Sequence, residues 1–183
     1  MIEFGFNNIQ LGSLQEKNLD QYRVWRNDKR IYRWCRQDDL VPEKAHTSWY
    51  HSLNDKTKMY EVIKDNTLHG VCGLTDINKT HNHAEFSLYL GPSSQGLGLS
   101  LPALQTLFSH GFLNLGLNVI WGETFDGNRA AKVFDKLGMV VEGKRREFYY
   151  KDGRYWDCTM YSMTRKDFEE TAWGKKLYTS LVG

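Results

Sequence analysis

The stretch of this sequence best suited to chemistry is Gly91-Pro92-Ser93-Ser94-Gln95-Gly96-Leu97-Gly98-Leu99-Ser100. It follows an alternating, strand-like segment and opens a long amphipathic one. Glycines let a backbone approach a ligand closely. A helix start adds unpaired N–H groups and the positive end of the helix dipole. Together they suit a phosphate or pyrophosphate; the plain alternative is a tight turn with nothing bound. Two familiar phosphate loops do not fit. GxxxxGK[ST] needs a lysine that is absent here, and GxGxxG fails because Ser100 and Leu101 stand where its third glycine would be sought.

Other groupings carry less. His81 and His83 put two imidazoles on one face of a strand, but no third ligand has a recognisable spacing, so no metal is expected. Cys35, Cys72 and Cys158 are far apart and form no CxxC pair, which argues against a zinc knuckle or a dithiol site. Neither GxSxG nor a spaced Cys/His pair supports a nucleophilic mechanism. The run from Trp25 to Arg36 mixes rings with guanidinium groups: rings stack on bases and Arg forks onto phosphates. The bland account makes Trp25 and Trp34 core anchors and leaves the arginines solvated.

The elements that position these residues follow from periodicity. Asn8 to Ser13 reads as a first strand, Asn18 to Asn27 as a short helix, and Pro42 to Leu53 as a second helix with proline near its start. Met59 to Lys64, His69 to Ile77 and Ala84 to Leu90 alternate as strands separated by short polar turns, an antiparallel meander. After the glycine-rich turn, Leu101, Leu104, Leu107, Phe108, Leu113 and Leu115 mark a long helix that Gly116 can end. Val119 to Thr124 is a strand, Asn128 to Leu137 a helix capped by Gly138, and Val140 to Tyr150 and Tyr155 to Met163 two strands joined by Lys151-Asp152-Gly153. Thr164 to Trp173 closes the chain with a short helix, and a loose tail is expected after Gly174.

Composition excludes several classes. In 183 residues, 24 basic and 22 acidic side chains give a net charge of +2, too balanced for the concentrated basic face of a nucleic-acid binder. No apolar run is long enough to span a membrane. The first residues lack a basic start followed by an apolar stretch, so no signal peptide is expected. With the odd cysteine count, this points to a reducing cytoplasm.

Gln95-Gly96-Leu97-Gly98-Leu99-Ser100 resembles the [QR]-x-x-G-x-[GA] pyrophosphate loop of the GNAT N-acetyltransferases, with Ser100 for the last small residue. The stretch from Asn128 to Met139 resembles that family's N-x-x-A-x-x-x-[YF]-x-K-x-G-[FM] segment. The separation of the two motifs and the order of elements from Asn8 to Met163 agree as well.

The resemblance implies an α/β (α+β mixed sheet) fold. A twisted, mostly antiparallel sheet would have splayed central parallel strands and flanking helices, in one domain over residues 1–174 with a tail at 175–183. It implies an acetyl-CoA-dependent N-acetyltransferase that passes an acetyl group to a primary amine by direct attack on the thioester. Carried over by position, the backbone from Gln95 to Ser100 would hold the pyrophosphate. Leu88, Tyr89 and Leu90 would pair with the pantetheine arm, Asn128 would bond it from the opposite wall, and Ala131 is small where the cofactor passes. Lys136 could meet the nucleotide phosphate. Phe134 stands where many relatives carry the tyrosine that protonates the leaving thiolate, which puts that acid in doubt. Glu85, on the strand leading to the loop, is the candidate base, with Glu123 the second choice and an exposed strand carboxylate the alternative for Glu85.

The acceptor pocket would be shaped by the N-terminal helices, with Trp25, Arg26, Asn27, Arg30, Trp34 and the hairpin residue Tyr149 as candidates. The WRN start, Asp76-Ile77-Asn78 and the KDG hairpin resemble two branches of the family, one acetylating 4-amino sugars on nucleotides and one acetylating protein N-termini, including ribosomal proteins. The first is preferred as the acceptor class. No nucleic-acid or membrane partner is expected, and a homodimer is a plausible assembly. A non-catalytic acyl-CoA-binding module is the remaining alternative.

Overall fold

The computed structural model describes residues 1–182. In chain order the elements are β1 (Ile2–Phe6), β2 (Ile9–Ser13), α1 (Leu19–Asn27), α2 (Lys29–Tyr32), α3 (Glu43–His51), β3 (Lys58–Lys64), β4 (Thr67–Asn78), β5 (His83–Leu90), α4 (Ser100–Leu113), β6 (Val119–Phe125), α5 (Ala131–Leu137), β7 (Val140–Lys151), β8 (Arg154–Thr164), α6 (Arg165–Glu170) and α7 (Ala172–Val182). Among the described residues the strands form one sheet in the order β1-β2-β3-β4-β5-β6-β8-β7. Every pairing is antiparallel except β5 with β6. This is the mixed sheet expected from the sequence.

Local chemistry explains the hairpins. Asn7-Asn8, Asp65-Asn66 and Asp152-Gly153 all place two consecutive residues at positive φ. That geometry matches the twist of adjoining strands and is tolerated best by Asn, Asp and Gly. α5 stops at Gly138, which takes φ +94° as its left-handed cap. α6 starts on a reciprocal cap between Thr164 and Asp167.

The sheet separates two layers. α4 is apolar on nearly all sides and buries Leu104, Leu107, Phe108 and Phe112 against one sheet face, with α5 beside it. Burying each such side chain is worth about 1.5–3 kcal/mol. The opposite face carries α1 and α3, with Tyr22, Trp49 and Tyr50 around Val71 and Tyr89. Strand alternation therefore sorts β5: Ala84, Phe86, Leu88 and Leu90 join the α4 core, while Tyr89 joins the N-terminal helices.

The parallel contact is short. Only His83, Ala84 and Glu85 pair with β6, opposite Val119, Ile120 and Trp121. Beyond them β5 stays with β4 and β6 stays with β8, so the two strands part. Phe86 sits at the fork. Its ring occupies the place where a Cβ on Gly122 would lie, 2.4 Å from Phe86 Cε1.

Three elements depart from expectation. β1 was not anticipated, because its exposed Ile2 and its Gly5 give a weak pattern. α2 is a single turn, too short for periodicity to reveal. The segment after Gly174, expected as a loose tail, continues as α7, and Leu177 packs into the core; Gly183 lies outside the described residues.

Candidate active site

Glu85 and Glu123 meet at the fork between β5 and β6. Glu85 is the last residue of β5 paired with β6, and Glu123 lies two residues beyond its opposite number, Trp121. Both side chains are nearly inaccessible, at 7% and 2% exposure. The reading of Glu85 as an exposed strand carboxylate is therefore wrong. Two buried negative charges require partners, and two arginines supply them. Arg36 Nη2 lies 2.7 Å from Glu85 Oε1, and its Nη1 lies 3.2 Å from Glu123 Oε1. Arg145 Nη1 pairs with Glu123 Oε2 at 2.9 Å, and the Tyr149 hydroxyl donates to Glu123 Oε1.

The two carboxylates are thus unequal. Both oxygens of Glu123 are occupied. Among the described residues Glu85 is held through Oε1 only. Burial disfavours the Arg36 charge, but its bonds to Glu85 and Tyr149 outweigh this and hold the guanidinium above its ordinary pKa. Burial, then the bond to Glu123, pushes the Tyr149 phenol up. Cys158, buried beside Glu123, is pushed up to about 12 by burial and by that carboxylate's charge, so it is no thiolate at neutral pH.

Arg36 reaches the fork from the segment after α2, and that segment is pinned. The Lys151 ammonium is buried and donates to the carbonyls of Tyr32 at 2.8 Å, Cys35 at 2.8 Å and Gln37 at 2.7 Å. It also lies 3.8 Å from the centre of the Tyr32 ring. The β7–β8 hairpin therefore grips the segment that carries Arg36.

A wall of rings continues from Glu123. Phe125 packs on Tyr149 and stacks on Trp156, and Trp156 meets Trp34 edge-on. Arg33 lies over Trp34 and Arg154 over Trp156. Among the other expected acceptor residues, Arg26 bonds Gln37 at 2.6 Å and lies over the Tyr89 ring. Trp25 packs instead on Gly91, where a Cβ would fall 2.6 Å from its ring. Asn27 bonds both N–H and C=O of Val41, and Arg30 is forked onto Asp28, holding that carboxyl down at about 2. Asn27 and Arg30 thus shape turns and are not brought to the carboxylates.

The glycine loop lies at the open end of the fork. Gly96 and Gly98 take φ +81° and +73° with open space where a Cβ would be, and Leu97 is exposed. Gln95 donates to the Leu90 carbonyl, Leu99 is buried at the cap, and Ser100 begins α4, whose N-terminus has no side-chain cap. His69 bonds the buried Ser94 Oγ at 2.9 Å and steadies the preceding turn. Uncapped N–H groups, two glycines in left-handed conformations and clear space form a cradle that fits a pyrophosphate. Leu88, Tyr89 and Leu90 line the β5 side of the fork and are paired to β4 alone.

On the far wall, Asn128 Nδ2 donates to Thr124 Oγ1 at 2.8 Å, and Oδ1 accepts from the Ala130 N–H at 3.0 Å. Its side chain builds the turn that starts α5. Ala131 opens that helix and Lys136 stands exposed on its last turn. Phe134 is buried, edge-on to Phe86 and Tyr161.

A family model described as an acetyltransferase (GNAT) domain matches residues 8–140. The chain belongs to the GNAT acetyltransferases. This acetyltransferase is 24% identical to the spermidine N(1)-acetyltransferase of Escherichia coli K12, over 81% of this chain and 82% of that one. It is 26% identical to the putative ribosomal N-acetyltransferase YdaF of Bacillus subtilis, over 88% and 93%. In fold it matches the crystal structure of the Vibrio cholerae spermidine N-acetyltransferase in complex with CoA and spermine, with a TM-score of 0.84, 22% identity, and 88% and 98% coverage. GNAT acetyltransferases use acetyl-CoA, so the expectations of fold, enzyme class and co-substrate hold. Spermidine acetyltransferases were not among the branches that the sequence resembled. No helix among the described residues is long and apolar enough to cross a membrane.

Sequence reasoning missed Arg36 and Arg145 as site residues and Lys151 as the support of the Arg36 segment. Arg36 lay inside the ring-and-guanidinium run, but nothing in that run said which arginine turns inward.

Proposed function

We propose that this acetyltransferase acetylates a small primary amine bound beside Glu85, and that the amine belongs to an acceptor with an anionic, flat portion such as a 4-amino sugar nucleotide. The supporting observation is the charge state of the fork. Its two carboxylates are already matched by two guanidinium groups, and the adjoining wall is rings overlaid with arginines. Such a wall stacks on a base and forks onto phosphate.

Acetyl-CoA supplies the activated thioester carbonyl. The Gly96–Ser100 cradle would hold its pyrophosphate, and the β5 backbone from Leu88 to Leu90 its extended arm. Glu85 takes the proton that the acceptor amine must lose, directly or through one water. At pH 7 a lysine-like amine is neutral in only roughly one part in a thousand, so this proton transfer decides whether attack occurs. Glu123 keeps Arg36, Arg145 and Tyr149 in place around the acceptor. With Phe134 lacking a hydroxyl, the departing thiolate takes its proton from solvent; a thiol's ordinary pKa near 8.5 makes this undemanding.

A second reading is a polyamine acceptor, favoured by the similarity to spermidine N-acetyltransferases. Thiol release from acetyl-CoA, measured with amino-sugar nucleotides, N-terminal peptides and polyamines for the native chain and Glu85→Gln, separates the two. Turnover of the nucleotide-linked amine, lost in the variant, supports the proposal. Turnover of spermidine alone replaces it with the second reading.

A further inference from the structure

Arg36 is the outermost member of the charge cluster. Its side chain is 48% exposed, while Glu85 and Glu123 behind it are 7% and 2% exposed. One guanidinium fork spans both carboxylates, one nitrogen on each. Any ammonium approaching the pair from solvent meets a cation first, and a cluster of two anions with two cations has no net charge to attract it. Lys151 fixes this arrangement, because all three of its donors hold the segment from Tyr32 to Gln37.

Resting on the reading that the fork binds the acceptor, we propose that Arg36 is the acceptor-selecting residue of the site. It is an internal cation, positioned by Lys151, that screens Glu85 and Glu123 against polycationic amines and leaves its outer edge for an anionic group on the acceptor. Removing it leaves a buried negative charge that a second ammonium can satisfy. The residue therefore sets which class of amine is acetylated, and it does so without being the base.

The test compares spermidine with a phosphorylated primary amine, using thiol release to obtain kcat/KM for each on the full chain. The proposal expects Arg36→Gln to shift the ratio toward spermidine by about tenfold or more, tenfold being about 1.4 kcal/mol, and Arg36→Lys to stay near the native ratio. An unchanged ratio overturns it, as does a native chain that already prefers spermidine. Lys151→Met, which keeps Arg36 but releases its segment, should shift the ratio in the same direction and serves if Arg36→Gln does not fold. Calorimetric titration of spermidine into each protein provides a second readout. If no amine is turned over, the reading of the fork as the acceptor site fails. Binding alone then decides this proposal: spermidine tighter by about tenfold in Arg36→Gln supports it, and equal binding overturns it.

Discussion

Replacing Lys151 by methionine tests whether the hairpin grips the N-terminal segment. Methionine keeps most of the length and apolar stem while deleting the ammonium. Three bonds of 2.8, 2.8 and 2.7 Å disappear, and the carbonyls of Tyr32, Cys35 and Gln37 must find water. Hydrogen bonds to a charged group contribute about 1.5–3 kcal/mol each. The relief of no longer burying a charge offsets part of the loss. A net destabilisation of about 3 kcal/mol follows, which lowers Tm by about 6–12 °C in a chain of this size. Urea unfolding followed by tryptophan fluorescence reads it, since Trp34 and Trp156 adjoin the segment. Acetyl-CoA affinity should be unchanged, because none of the three bonds reaches the glycine loop. A stability loss below about 1 kcal/mol would show that the segment does not depend on Lys151 and refute the reasoning.

Other outcomes follow from the same contacts. Glu123→Gln takes the carboxylate partner from Arg145 and one of the two that Arg36 bridges; because both arginines are partly exposed and can rehydrate, the cost is about 2–3 kcal/mol in denaturant melts. Gly122→Ala forces a methyl into the Phe86 ring and should cost about 1–3 kcal/mol while altering acetyl-CoA affinity, measured by calorimetry. His110 is held below its usual 6.5 by burial, as is His46. The unfolded chain therefore takes up these protons first, so stability present above pH 6.5 is lost as pH falls below it, and His110→Phe should flatten part of that slope in thermal melts. Saturating acetyl-CoA at about a hundred times its Kd should add about 2.7 kcal/mol of stability, and no shift in Tm would deny that the fork binds it.

The sheet and its turns were legible because their causes are local. Period-2 alternation marked β3 to β6, and Asp152-Gly153 announced its hairpin outright. The glycine loop was legible for the same reason, as Gly96 and Gly98 adopt a backbone that glycine takes most cheaply. The charge cluster was not. Glu85 and Arg36 are joined by topology, through a segment with almost no regular structure, and no periodicity aims a loop arginine. Lys151 was hidden further, because a lysine in a hairpin reads as solvated until the carbonyls it binds are in view. Asn128 carries a role its motif did not announce: its side chain builds the turn of its own loop.

The short parallel pairing has one more consequence. Past Glu85 and Trp121 the facing edges of β5 and β6 run on without a ladder between them, so the sheet carries two rims in its interior. Rims at the outside of a sheet invite other chains to add themselves. These open toward a loop and two helices instead, so that an extended thread can enter where a bulky strand with its own neighbours cannot. The seam divides the sheet. β1 to β5 and β6 to β8 are joined across it by three residue pairs of backbone, and otherwise by side chains: the Phe86 wedge, the Arg36 bridge, the Lys151 grip and the core around α4. A molecule threaded into the seam would stitch the halves together, and backbone amides along Phe86–Leu90 would report that stitching as slowed hydrogen exchange.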